Sequence, residues 1–480
     1  MRAFFERLAW RAATDGASAA LVAPDRTLSY AALADEVSVR AGGAKRLPGR
    51  VGLLFASRQE YVLADLALSF AGKELVPLPD FFSDAQLGHV IEASGLSAVV
   101  TDDASVERCR RLGLSLHALE KSEDALGSPV DGSARIIFTS GTTGAPKGVR
   151  IAENQLLASV TSLAKATGAD ATDRYLSILP QSLLLEQVAG IYLPLFVGAS
   201  IYLPAPPAVS PGQHIKFAAE ESEATATVLV PELLAAWVKE LRAVDRQAPR
   251  SLRVIAVGGA PVSLQLSAAA WTQGLPVYEG YGLSECCSVV SLNRPDTRRS
   301  GTVGHPLPDI QVTIETGEIV VRGPTVMSGY LGDMPVSGVW RTGDLGTFDP
   351  DGYLRVTGRK DNVIVTAAGR NVSPEWIEEV LTSDARIKFC VVVPHAQSLA
   401  ALIVTEGHPP ACKPDALKAA LISASQALPP YARPQSYVVI SEQELFDQDL
   451  LSANRRPRRD AIAELVSKRS LALDFEQVSA

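Results

Sequence analysis

Several things that this chain has little of narrow what it can be. Cysteine is scarce: five in 480 residues, at 109, 286, 287, 390 and 412, with no CxxC pair. An odd number without framework spacing argues against a disulfide scaffold, and the missing CxxC argues against a zinc site. The adjacent Cys286 and Cys287 read as core filler. An uninterrupted apolar run is also missing. The most apolar stretch, 188–204, is broken by Pro194 and Gly198 and reads as buried helix and strand, not a membrane span. The first sixteen or so residues carry charges throughout and lack the apolar centre of a secretory signal. Excess positive charge is absent too: the net charge is −8, which argues against nucleic acid as a partner. No short-period repeat is present. The expectation is a reduced, cytoplasmic enzyme.

What is there exceeds one ordinary core. With 480 residues, 47% of them hydrophobic, two or more domains are expected. From 27 to 101 the pattern alternates. Helices are expected at 30–42 (with Ser29 as cap), 59–70 and 85–93, and strands at 51–55, 75–78 and 98–100. Such alternation implies a parallel sheet covered on both faces. Residues 102–134 are more polar and read as connection. Further strands are expected at 176–179, 199–203, 227–230 and 252–257, and helices at 154–167 and around Trp237. From 311 the texture becomes antiparallel, with strands at 311–314, 318–322 and 353–357. A charged break at 358–361 is followed by a small α+β pattern. The fold class is therefore α/β: a large N-terminal domain of layered parallel and mixed sheets with a small β-rich part, then a small mobile α+β domain. The boundary is placed between 358 and 359, giving units 1–358 and 359–480.

One stretch carries the chemistry. Residues 138–149 read FTSGTTGAPKGV. Gly141, Gly144 and Gly148 permit tight turns, while Thr139, Ser140, Thr142, Thr143 and Lys147 supply donors suited to phosphate oxygens. Pro146 before Lys147 departs from the P-loop of common NTPases, so strand, loop and strand are expected. Gly258, Gly259 and Ala260 end the strand at 252–257, where ligands of open α/β sheets collect. Residues 278–285, YEGYGLSE, offer an aromatic ring, a hydroxyl and a carboxylate that could hold Mg²⁺. Taken alone, 341–344 (RTGD) reads as a turn or cap and Arg359 as a surface arginine.

Together, in this order, the strings TSGTTGAPKG (139–148), GYGLSE (280–285), TGD (342–344), GRKDNVIVTAAGRNVSP (358–374) and LPPYARP (428–434) resemble the adenylate-forming superfamily. The likeness runs over essentially the whole chain and is nearest to fatty acyl-CoA synthetases. The resemblance implies ATP-dependent activation of a carboxylic acid, then transfer to a thiol. It assigns the 139–148 loop to the β- and γ-phosphates, Gly258, Gly259 and Ala260 to the adenine border, and Tyr281 to adenine stacking. It gives Ser284 the α-phosphate, Glu285 the Mg²⁺, Asp344 the ribose, Arg359 ribose or phosphate, and Asp361 the hinge. Ser182, Leu183 and Gly280 fall at the acid pocket. Coenzyme A is the expected acceptor; a carrier protein's phosphopantetheine or an amine are the alternatives. One departure matters. The family's C-terminal lysine position holds Arg456 here, with Arg455 before it. Two readings stay open: a catalytic Arg456, or a solvated basic run at 455–459. A nucleotide or acyl-adenylate binder without the catalytic step is the non-enzymatic alternative. Glu186, inside an apolar run, either meets a polar substrate group or satisfies a backbone donor.

Overall fold

The computed structural model describes residues 1–122, 125–139, 147–366, 370–384, 386–396, 398–405, 414–451 and 456–472. Two large sheets form the N-terminal part. The first has seven strands in the order Gly329–Tyr330, Lys147–Ala152, Ala134–Thr139, Glu74–Pro77, Arg50–Leu54, Ala98–Thr101 and Ser115–His117. Its last five strands run parallel, and the two at the other edge pair antiparallel. The second has nine strands, parallel from Val277–Leu283 across to Ala19–Val22 and antiparallel at both edges. One large core lies between the sheets and their helices.

Local chemistry explains the helices that were expected. Tyr30–Ala44 starts at Ser29, whose hydroxyl accepts the Ala32 N–H. Asp84–Ser94 opens with a full capping box, Ser83 and Gln86 each bonding the other's backbone N–H. The parallel strands read as continuous apolar runs because both faces are covered.

A four-stranded antiparallel sheet follows, ordered Gln311–Glu315, Glu318–Arg322, Val339–Phe348 and Leu354–Arg359. Residues from Ile364 onward have their own cores. There a sheet of Ile387–His395, Ser398–Thr405, Ser436–Val439 and Leu471–Ala472 is packed on both sides. Cys390 and Val392 face the helices Pro374–Leu381 and Pro414–Ser425, while Val391 and Val393 face Glu442–Asp447 and Arg459–Arg469. No helix among the described residues is long and apolar enough to cross a membrane. Cys109, Cys286, Cys287 and Cys390 are free and buried.

Three expectations need correction. Residues 102–134 are not only connection: they hold the helix Val106–Arg111 and the edge strand Ser115–His117. The helix is short and arginine-rich, and an edge strand needs no apolar run, so composition hides both. The turn reading of 341–344 fails, because these residues lie inside the ten-residue strand Val339–Phe348. Gly343 sits there at φ +71, a conformation that breaks the alternation. The strand expected at 176–179 is instead Arg174–Leu176.

Candidate functional site

The site gathers at the carboxyl ends of both large sheets. Lys147 opens its strand opposite Thr139, so the two flank the ends of the glycine-rich loop. Ser140, Gly141, Thr142, Thr143 and Gly144 lie outside the described residues. Across from Lys147, the strand Val277–Leu283 runs into a 3₁₀ turn at Ser284–Cys286. Cys287 and Ser288 then take positive φ values of 53 and 83 to fold the chain back. Gly282 is required by this close return: a Cβ there would stand 1.7 Å from the Ser288 carbonyl oxygen.

Asp344 is the centre of the polar cluster. It is buried. The Tyr281 hydroxyl donates to its Oδ2 at 2.6 Å, and Arg359 Nη1 donates to its Oδ1 at 2.9 Å. The strand pairing sets this up, since Asp344 and Arg359 are direct partners in register. Burial raises the Asp344 acid above its ordinary value, and Arg359, Tyr281 and Arg456 pull it back. Arg456 therefore brings the C-terminal unit's charge to bear on the same carboxylate, although the residue itself is exposed. Burial, with Asp344 beside it, pushes the Tyr281 phenol up, so it stays a donor.

Glu285 forms the second cluster. The Tyr330 hydroxyl donates to Glu285 Oε1 at 2.8 Å. The Lys147 ammonium sits 5.2 Å from the centre of the Tyr330 ring. Among the described residues Glu285 has no ion pair. Tyr330 was not foreseen from the sequence. Ser328, Gly329 and Tyr330 carry no charge and no motif, and the residue reaches the site only because Gly329–Tyr330 pairs onto Lys147–Ala152.

The three residues after Val254–Val257 occupy the neighbouring rim. Gly258 lies beside Gly280, whose carbonyl oxygen is 3.4 Å from where a Gly258 Cβ would be. Gly259 (φ +86) and Ala260 are exposed. Beyond Leu292 an apolar cavity of about 60 Å³ is walled by Tyr175, Leu185, Ala189, Val228 and Ala256, with Asp173 and Arg253 also in its lining. Leu292 joins cavity and rim, 3.0 Å from where a Gly280 Cβ would be. Ser182 and Leu183 precede the helical segment that carries Leu185 and Ala189; the Ser182 hydroxyl is buried with no hydrogen-bond partner among the described residues. Glu186 is buried, and among the described residues its partners are side-chain hydroxyls and not the backbone donor expected. Its carboxyl accepts from the Tyr175 hydroxyl at 2.9 Å and from Ser177 Oγ at 2.6 Å.

The basic run at 455–459 is not a uniform solvated face. Arg459 is mostly buried and pairs with Glu378 at 2.6 Å and Glu375 at 3.2 Å, and Arg458 pairs with Asp449 at 2.6 Å. Arg455 lies outside the described residues. Asp361 is exposed in the short turn Lys360–Asn362 that follows Arg359, and Asn362 Nδ2 donates to Glu375 Oε1 at 2.5 Å.

A model of the family described as AMP-binding enzyme matches residues 8–331. The chain belongs to the AMP-binding enzyme family. Relatives of this AMP-binding enzyme include the 2-succinylbenzoate–CoA ligase of Bacillus licheniformis, 30% identical over 403 residues, covering 77% of this chain and 82% of that protein. The long-chain-fatty-acid–CoA ligase FadD15 of Mycobacterium bovis is 29% identical, covering 74% of this chain and 72% of its own. Among solved structures, o-succinylbenzoate coenzyme A synthetase from Bacillus subtilis with ATP and magnesium ion superposes at TM-score 0.81 and 25% identity, covering 95% of this chain and 98% of that one. The anthranilate CoA ligase AuaEII in complex with anthranoyl-AMP superposes at TM-score 0.83, with 19% identity and 96% of each chain covered. The AMP-binding enzyme described here is an AMP-forming acid–thiol ligase of the acyl-CoA synthetase type.

Proposed function

We propose that this enzyme activates a carboxylic acid with a compact, ring-sized apolar body, using ATP, and transfers the acyl group to coenzyme A. The observation that carries the reading is the convergence of Lys147, Glu285, Asp344 and Arg359 on one rim, with an apolar cavity whose wall residue Leu292 also touches Gly280. Asp344 and Arg359 take the ribose, and the Tyr281 hydroxyl gives way on the carboxylate as the ribose hydroxyls arrive. The Tyr281 ring, Gly258, Gly259 and Ala260 border the adenine. Lys147 and the 139–148 loop hold the outer phosphates, and Ser284 the α-phosphate. A Mg²⁺ ion fits at Glu285, an acceptor-only carboxylate without an ion pair among the described residues; when bound it supplies charge neutralisation at the phosphates.

In the first step a carboxylate oxygen of the acid attacks the α-phosphorus and the bond to pyrophosphate breaks. The residues' part is positioning and charge stabilisation. Arg456 serves as the C-terminal cation, with a planar fork of donors in place of a point charge. In the second step the thiolate attacks the acyl carbon and AMP leaves. Both kinds of relative named above are CoA ligases, which supports coenzyme A as acceptor. The alternative of an acidic carrier protein docking on 455–459 has less support, because Arg458 and Arg459 already have acidic partners.

The 2-succinylbenzoate–CoA ligase relatives support an acid built on a ring, and the small cavity beside Leu292 accords with that reading. The cavity's volume of about 60 Å³ is far below the roughly 300–1,000 Å³ that drug-sized ligands take, so a long alkyl chain needs a larger rearrangement than a single ring does. A panel of aryl, short branched and long-chain acids tests this by kcat/KM. Aryl acids are expected to exceed long-chain acids by roughly tenfold or more. The reverse order would return the assignment to fatty acids, the class expected from the sequence.

A further inference from the structure

Tyr330 stands between the Lys147 ammonium and the Glu285 carboxylate. Its hydroxyl donates to Glu285 Oε1 at 2.8 Å, and its ring underlies the Lys147 ammonium at 5.2 Å. Three further features fix it there. The Leu331 N–H donates to the Gly148 carbonyl at 2.8 Å and the Ser328 N–H to the Arg150 carbonyl at 3.0 Å, so the short strand is clamped on both sides to the strand that bears Lys147. The Met327 N–H donates to the Glu285 backbone carbonyl at 2.8 Å, tying the same segment to the carboxylate's own residue. Trp340 packs edge-on against the ring, centroids 5.8 Å apart. Lys147 and Glu285 make no ion pair with each other among the described residues.

From this geometry we infer that Tyr330 is a positioning residue for the metal–triphosphate half of the site: its hydroxyl orients the Glu285 carboxylate and its ring holds Lys147 away from it. The inference rests on the ATP and Mg²⁺ reading given above. The physical need is plain. Without a spacer, an ammonium and a carboxylate that flank one side chain are free to close on each other, and binding a polyphosphate would first have to break that pair. A tyrosine satisfies both at once. It offers a neutral donor to the anion and a negative ring face to the cation. A carboxylate that binds a metal loses affinity when its own hydrogen-bond partner is removed.

The test is equilibrium binding of ATP to the full chain by calorimetry, with Mn²⁺ and separately in EDTA. Tyr330→Phe keeps the ring and removes the hydroxyl. It is expected to weaken Mn²⁺–ATP binding about tenfold or more while leaving metal-free ATP binding unchanged. Tyr330→Leu is expected to weaken metal-free ATP binding as well, since Lys147 loses the ring. In a Glu285→Gln background the Phe substitution is expected to add nothing, because its effect passes through that carboxylate. Equal Mn²⁺–ATP affinity for wild type and Tyr330→Phe would overturn the inference, as would a full loss in both backgrounds. If the Leu variant does not fold, the cycle between Phe and Gln decides alone. A wild-type chain that binds no ATP in either condition would overturn the nucleotide reading and, with it, this inference.

Discussion

At the scale of single residues, Glu186 makes the sharpest prediction. It is fully enclosed, and its hydrogen-bond partners among the described residues are the Tyr175 and Ser177 hydroxyls. Burial raises its acid from the ordinary 4.5 to about 7, while Ser177, Tyr175 and the more distant Arg58 pull the other way. The folded chain therefore binds this proton more tightly than the unfolded chain. Stability from this group is complete below about pH 4.5 and falls as pH rises through 7, by on the order of 3 kcal/mol in all. Glu186→Gln keeps the shape and has no proton to lose. Its denaturation midpoint relative to wild type is expected to rise steadily between pH 5 and pH 8. A difference that stays flat with pH would show that Glu186 is ionised throughout. The sequence offered a backbone donor as its partner within the protein, and two side-chain hydroxyls are used in its place. Tyr175 lies eleven positions away on a strand, and no spacing rule links a helix glutamate to it.

At the scale of elements, the segment from Leu184 to Val197 is the informative case. An apolar helix was legible from the run of leucine, valine and isoleucine. Its middle turn was not: Gln187–Tyr192 is π-helical. The turn has two buried sides. Gln187 and Tyr192 join a buried polar network, Arg135 donating to Gln187 Oε1 at 3.0 Å and to Asp65 Oδ1 at 2.5 Å. Ala189 faces the cavity. Gly190 is needed where the helix crosses Glu186 and Tyr175, for a Cβ there would lie 2.4 Å from Glu186 Oε1 and 2.8 Å from the Tyr175 ring. Gly190→Ala is expected to cost about 1–3 kcal/mol in urea unfolding and to raise KM for the acid without changing KM for ATP. An equal change in both KM values would place the effect outside the acid pocket. Strand Val339–Phe348 illustrates the same limit. It buries the charged Asp344, exposes Val339 and is interrupted by Gly343, so no apolar–polar alternation marks it and only the pairing partners reveal it.

At the scale of the whole molecule, the two-part layout was legible because composition changes at 358–361 and the C-terminal pattern stands alone. The order of the motifs named candidate site residues on five separate stretches between Lys147 and Arg359. What sequence could not supply was the pairing that brings them together, the Glu285–Tyr330 contact above all. We predict that the turn Lys360–Asn362 is the hinge between the two half-reactions. Asp361→Pro, placed just after the strand bearing Arg359, is expected to slow one half-reaction at least tenfold more than the other in rapid-quench assays. Equal slowing of both would argue for a single fixed arrangement of the two units.

The most direct test of the account is mass spectrometry of the purified chain with ATP, Mg²⁺ and an aryl acid, before and after coenzyme A is added. The account predicts acyl-adenylate and pyrophosphate first, then the acyl-CoA thioester and AMP, with Arg456 serving as the C-terminal cation. Measurable ATP binding with no acyl-adenylate from any acid, or ADP as the nucleotide product, would contradict it.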